Sequence, residues 1–222
     1  MKDFLDVLLE QMREPRTGRQ EAQYLSRLKA LASTAPTQRS LHIQSPEPLL
    51  RAMTLKKAPD SRFFQERPDV ELFFYEIGEA AAEPSWFRLA KTLDERRIFG
   101  RLDPLKDEVQ VLESIAMGAD LYSLRVRDHD DVTLQYLTEV GQDYGVTVLL
   151  RCSHEDELAR ALFVQADTLI GLEEDVAVSE LLELPIFKDR QVLLCKTDRE
   201  IPMVHALKQI FLHLETIEEP HT

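Results

Sequence analysis

The chain has 222 residues, 44% of them hydrophobic and 30% charged, which is the composition of one soluble domain large enough to bury a full core. Its 27 basic and 40 acidic residues leave a net charge of −13. A surface of this charge repels phosphate backbones and anionic lipids, so we expect no nucleic-acid partner and no membrane partner. The acidic N-terminus is unlike a signal peptide, and only two cysteines are present. The sequence therefore predicts a cytoplasmic protein without a disulfide framework.

The first third of the chain is predicted to be mainly helical. Apolar residues recur at helical spacing over residues 2–13 and 19–32, ahead of any strand. We place the first strand at 40–44. Weaker helical character follows around 47–54 and 60–66.

Strands then alternate with helices. The alternation is clearest over residues 105–174, which form three consecutive strand-plus-helix modules with a step of about 25 residues. Such a step implies parallel strands joined by right-handed crossovers, and hence an α/β fold. The other predicted helices are 83–96 and 201–214. The predicted strands are 70–77, 97–102, 121–126, 146–152, 168–172 and 191–197, with a doubtful strand near 215.

Two segments carry a resemblance to a known family. DEVQVLESIAMGAD (107–120) resembles DPYQxxEAxxxGAD, and SHEDELARAL (153–162) followed by LIG (169–171) resembles HDExELERAL…IGIN. Both patterns are typical of indole-3-glycerol phosphate synthase, the (β/α)8-barrel lyase of tryptophan biosynthesis. Ser45-Pro46 is similar to the start of that family's SPSxG loop.

The resemblance implies a single (β/α)8 TIM barrel domain over residues 1–222. Residues 1–38 would be an N-terminal helical extension and residues 39–222 the barrel. Its last strand is expected to be short or irregular.

The positions that the resemblance assigns to catalysis hold unsuitable side chains. The family's first-strand lysine falls on His42, its third-strand general acid on Leu102, and its fifth-strand carboxylate on Arg151. Its sixth-strand asparagine falls near Glu173 and its seventh-strand glutamate on Lys196. Leucine cannot donate a proton, and an arginine fixed as a cation cannot replace a carboxylate base. The family's eighth-strand Gly-Ser phosphate grip has no counterpart here.

The candidate ligand-binding residues are those that this registration places at the carboxyl ends of the strands, where barrel sites are built. Two interpretations remain open. Either the cations pair with acids such as Glu173, Glu174 or Asp103 and plug the mouth, or the pocket binds a small anionic ligand. The candidates are His42, Asp103, Arg151, Glu173, Lys196 and Thr197.

We predict no metal and no cofactor. The acidic run after His154 fits the first turn of a helix capped by Ser153, and no glycine-rich nucleotide loop is present. Alternation along the strands puts Cys152 and Cys195 on the helix-facing side, away from Arg151 and Lys196.

Aromatic residues concentrate in the 60–90 region. Consecutive aromatics at 63–64 and 73–75 are not expected to face inward together, so exposed apolar surface is predicted there, typical of a protein partner or homodimer face.

Two functions fit the sequence. The first is a non-catalytic paralogue that binds a small anion or a protein partner. The alternative is an active but divergent synthase whose acid and base come from substitutes such as His42, Asp103, Glu76 or Lys196.

Overall fold

The structure of the protein is a computed structural model that describes residues 18–35, 49–55, 61–68, 70–76, 85–94, 96–164, 168–173, 191–194 and 211–216. Its helices are α1 (Gly18–Ser33), α2 (Ser61–Gln65), α3 (Ser85–Leu93), α4 (Glu108–Met117), α5 (Asp131–Asp143) and α6 (Glu155–Phe163). Its strands are β1 (Leu49–Leu55), β2 (Val70–Tyr75), β3 (Ile98–Arg101), β4 (Leu121–Arg125), β5 (Thr147–Cys152), β6 (Thr168–Leu172), β7 (Gln191–Leu194) and β8 (Phe211–Thr216).

The strands form one curled parallel sheet. Each strand pairs with the next in chain order, and β8 also pairs with β1. Helices connect the strands as far as β6, so the predicted α/β class with a parallel sheet is confirmed. Residues 174–190 and 195–210, which connect the last three strands, lie outside the described part of the chain.

Alternation along the strands separates two apolar layers. The helix-facing side chains of the sheet join those of the helices in the larger cluster, which includes Phe73, Tyr122 and Leu150. A smaller cluster fills the concave side of the sheet, and consists of Ala52, Leu72, Phe74, Ile98, Leu102, Leu121, Leu149 and Leu169. Because both faces of a parallel sheet are covered, its strands read as nearly continuous apolar runs.

The segment 107–120 folds as its sequence predicts. The Asp107 side chain accepts a hydrogen bond from the Gln110 N–H at 2.9 Å and caps the start of α4. Gly118 ends the helix with φ 92°, a left-handed conformation that glycine adopts without strain. Much of the family-like motif is thus accounted for by helix boundaries.

The first strand is not where the sequence placed it. The sequence predicts weak helical character around 47–54, but Leu49–Leu55 forms β1, which pairs with β2 on one side and β8 on the other. The predicted strand at 40–44, like the predicted helix at 2–13, lies outside the described residues. Pairing on both edges outweighs the weak helical periodicity of LLRAMTL.

The last strand also differs from its prediction. Residues 211–214 were assigned to a helix over 201–214, but Phe211–Thr216 is a strand of 6 residues. All six residues are in register with β1, and the strand includes the position near 215 where the sequence predicts a doubtful strand.

The expectation of exposed aromatics was wrong for the aromatic residues whose burial the structure describes. Phe64, Phe73, Phe74 and Tyr75 are all buried, and Phe63 packs partly buried against them. Consecutive residues of β2 face opposite sides of the sheet, and both sides are covered. The argument for a partner face in the 60–90 region therefore lapses at these positions.

Among the described residues, no helix is both long and apolar enough to cross a bilayer.

Candidate functional site

Four neighbouring strands bring polar side chains together at their carboxyl ends. We use the term mouth for Leu102, Arg125, Arg151, Ser153 and Glu173, which lie at or just after the ends of β3 to β6. Because the strands are parallel, these ends meet at the same edge of the sheet, where α/β barrels place their sites.

Arg151 lies at the centre of the mouth. Its Nη2 lies 2.7 Å from Glu173 Oε1, and its Nη1 donates to the Leu102 carbonyl oxygen at 3.2 Å. Its side chain is only 14% exposed. Arg151 therefore pairs with an acid, as in the first of the two interpretations that the sequence left open.

Gly171 makes room for this arginine. It is the register neighbour of Arg151 on β6, and a Cβ at Gly171 would lie 3.0 Å from Leu149 and 3.4 Å from the Arg151 side chain. Any larger residue would compete with Arg151 for the space beside the inner apolar layer.

Glu173 is anchored on its other oxygen. Ser153 Oγ donates to Glu173 Oε2 at 2.5 Å, and the Glu173 N–H donates to the Cys152 carbonyl oxygen at 2.9 Å. Partial burial by itself raises the pKa of the Glu173 carboxyl group. The Ser153 hydrogen bond and the positive charges of Arg151 and Arg125 outweigh burial and hold the pKa below its usual range. Glu173 is therefore ionised at neutral pH.

The role predicted for Ser153 is corrected by this contact. Helix α6 has His154 at its N-cap position without a side-chain cap, and the Ser153 hydroxyl is used by Glu173 instead. The Ser153 N–H is satisfied by Glu157 Oε2 at 2.7 Å.

Arg125 belongs to the mouth, and sequence reasoning missed it. On β4, Leu121 lies in the inner cluster and Ser123 Oγ donates to the Leu102 carbonyl oxygen, so alternation places Arg125 on the same inner side. Arg125 is the register neighbour of Arg151. An arginine two residues after an inward serine at a strand end was the available signal.

Both arginines keep a buried N–H without an acceptor. The Nε atoms of Arg125 and Arg151 are buried and have no hydrogen-bond partner among the described residues. A buried unsatisfied donor costs roughly 1–3 kcal/mol. Two guanidinium groups against one carboxylate leave the described mouth with a net charge of +1.

Of the other predicted site residues, the structure describes only Asp103. Asp103 accepts from Arg101 Nε at 3.1 Å, and Arg101 reaches α4 through Ser114 Oγ at 3.2 Å, so Asp103 pairs with a different cation from Arg151. His42, Lys196 and Thr197, together with Cys195 and Glu174, lie outside the described residues. The argument for His42 rested on a first strand at 40–44, and β1 now occupies that place beside β2.

The described mouth is suited to charge recognition. The two guanidinium groups and the ionised Glu173 carboxylate bring three charges close together at one edge of the sheet. Within the part of the chain that the structure describes, no cluster of three or more metal-ligating side chains is present.

We expect the contacts of Glu173 to make the free energy of unfolding depend on pH in the acid range. A carboxylate whose pKa is lowered by folding adds stability above its ordinary pKa of about 4.3, and this contribution is lost as the pH falls through the folded-state value. Glu173→Gln should therefore cost about 2 kcal/mol at pH 7, and progressively less as the pH falls through the folded-state pKa of Glu173. Urea unfolding of both proteins across this range tests it, and a constant difference would contradict the assignment.

Comparison with known proteins points to one family. The indole-3-glycerol phosphate synthase of Legionella pneumophila (strain Lens) is 29% identical over 133 residues, which cover 56% of this chain and 48% of the relative. That of Rhodospirillum rubrum is 33% identical over 98 residues, covering 40% of this chain and 37% of the relative. No family model matches the chain. The chain thus matches about half or less of the length of these curated relatives, a distant similarity that suggests the family.

Proposed function

We propose that this protein is a (β/α)8 barrel of the indole-3-glycerol phosphate synthase type that binds a small anion at its mouth and does not carry out the lyase reaction. The architecture is supported by eight parallel strands paired in chain order and by the pairing of β8 with β1. The sequence similarity to two synthases supports the same origin.

The observation that carries the proposal is the charge of the mouth. The resemblance assigns the family's carboxylate base to position 151, which is an arginine, and its ammonium acid to position 102, which is a leucine. Arg151 is accompanied by Arg125, and Glu173 is the one acid contacting Arg151 among the described residues. A site with this excess of positive charge attracts anions.

Two assays on the purified chain test this function. We expect no indole fluorescence when 1-(2-carboxyphenylamino)-1-deoxyribulose 5-phosphate is added. We also expect phosphate or acetate to raise the melting temperature relative to chloride at equal ionic strength, as any ligand that binds only the folded state must. Arg125→Gln and Arg151→Gln should each reduce the shift, and Arg127→Gln, an exposed neighbour, should not. The appearance of indole fluorescence would refute the proposal. Equal melting temperatures in chloride, phosphate and acetate would refute it as well.

A divergent but active synthase of tryptophan biosynthesis is the second candidate, and the position of β1 favours it. The family carries a lysine on its first strand, and in this chain Lys56 and Lys57 directly follow Leu55, the last residue of β1. A lysine therefore follows the first strand directly in the sequence. The resemblance had instead assigned the position of the family's first-strand lysine to His42. If the fluorescence assay shows turnover, Lys56→Met and Lys57→Met identify whether either lysine is required.

A further inference from the structure

The mouth combines two features that together indicate the class of anion. The first is a pair of buried donors, the Nε–H groups of Arg125 and Arg151, on side chains that are register neighbours. The second is a net charge of +1 among the described residues of the mouth. A ligand with one negative charge and two oxygen atoms matches both features, because each carboxylate oxygen is an acceptor for a guanidinium N–H.

The contact between Arg151 and Glu173 is close, and the charge of Arg151 lowers the pKa of Glu173 more than its hydrogen bond does. Nη2 and Oε1 lie 2.7 Å apart, yet Oε1 has no hydrogen bond of good geometry. The attraction is therefore mainly that of two opposite charges.

Glu173 has a second anchor that does not depend on Arg151. Ser153 Oγ donates to Oε2 at 2.5 Å, and the Glu173 main chain is fixed to Cys152. Oε1 can leave Arg151 while Oε2 keeps its bond to Ser153. Arg151 likewise keeps its bond to the Leu102 carbonyl oxygen.

We propose that the mouth is a monocarboxylate site in which Arg125 and Arg151 hold the ligand and Glu173 is a built-in competitor for Arg151. This inference rests on the anion-binding function proposed above. The ligand carboxylate takes the place of Oε1, and Glu173 remains on Ser153. Binding is weaker than two arginines alone would give, because part of the population has Arg151 occupied by Glu173.

The test follows the arginine Nε–H signals in ¹⁵N-correlated NMR spectra of the full chain, assigned with Arg125→Lys and Arg151→Lys. Sodium acetate is titrated against sodium chloride at equal ionic strength, with inorganic phosphate as a second series. We expect acetate to shift both Nε–H signals. Glu173→Gln should lower the apparent dissociation constant for acetate about tenfold, the value for a competitor that occupies Arg151 roughly nine-tenths of the time.

A matched control separates this effect from a general change of charge. Asp128→Asn removes one acid from an exposed position near the end of β4 and should leave the acetate affinity within twofold of wild type.

The outcomes distinguish the two proposals. If acetate and phosphate move neither signal in wild type and Glu173→Gln, the anion-binding function itself fails. If acetate binds both proteins equally, anion binding stands and the competitor role is overturned. If phosphate shifts the signals and acetate does not, the assignment to carboxylates is wrong. Weaker acetate binding by Glu173→Gln would show that Glu173 positions Arg151 and does not compete for it.

Discussion

Asp120→Ala is expected to destabilise the protein by about 3–5 kcal/mol, because it removes one partner of a buried ion pair. Asp120 is fully buried; its Oδ1 lies 2.7 Å from Lys91 Nζ on α3, and its Oδ2 accepts from the Phe99 N–H on β3 at 3.0 Å. Alanine leaves an ammonium group and a main-chain N–H uncompensated. For a chain of this size the melting temperature should fall by on the order of 10 °C.

Two further variants show whether the loss comes from the pair. Asp143→Ala removes an exposed acid at the end of α5 and should change stability by less than about 0.5 kcal/mol. Lys91→Met combined with Asp120→Ala should cost less than the sum of the single changes, since the double variant has no stranded charge. A cost below about 1 kcal/mol for Asp120→Ala would contradict the structure.

Gly141→Ala is expected to destabilise by about 2 kcal/mol, although alanine is the better helix former by about 1 kcal/mol. A Cβ at Gly141 would lie less than 3.0 Å from three atoms of the Tyr122 ring and hydroxyl. Tyr122 is fully buried and donates to the Leu137 carbonyl oxygen at 2.5 Å, so the ring has no free space to move into. Chemical denaturation of the variant measures the loss.

A double-mutant cycle identifies the clash. Tyr122→Leu removes the part of the ring that faces α5, so Gly141→Ala should cost less in that background than in wild type. If Gly141→Ala lowers the free energy of unfolding equally in the two backgrounds, Tyr122 is not the residue that excludes a side chain at position 141.

The family-like motif has a mainly structural explanation in this chain. Asp107 caps α4, Gly118 ends it, and Asp120 joins α3, β3 and β4 through a buried carboxylate. These roles depend on the fold and not on catalysis. They account for the resemblance of residues 107–120 to a synthase by roles in the fold alone.

Local signals determined the central modules. Strands β4 to β6 lie within one residue of their predicted bounds, and helices α4 to α6 lie inside the three predicted modules. In this region the caps, the glycine turns and the runs of β-branched residues all favour the same structure, so no tertiary contact needs to override them.

Tertiary pairing decided β1 and β8. LLRAMTL and FLHLET both have apolar residues at spacings that suit either a helix or a strand. The structure makes them strands because each supplies hydrogen-bond partners to the other over six positions, with β2 and β7 on their outer sides. The local sequence of a segment does not show which other strand will lie beside that segment in the sheet.

The same distinction applies to the mouth. The amino-acid sequence was enough to predict a cation at position 151 and Glu173 as its candidate partner, because both residues lie at or just after the ends of recognisable strands. Only the register between β4 and β5, which places Arg125 beside Arg151, showed that one carboxylate faces two cations. Which charged side chains meet at a site depends on which strands lie side by side. The packing of the strands decides this, and the order of residues along the chain does not.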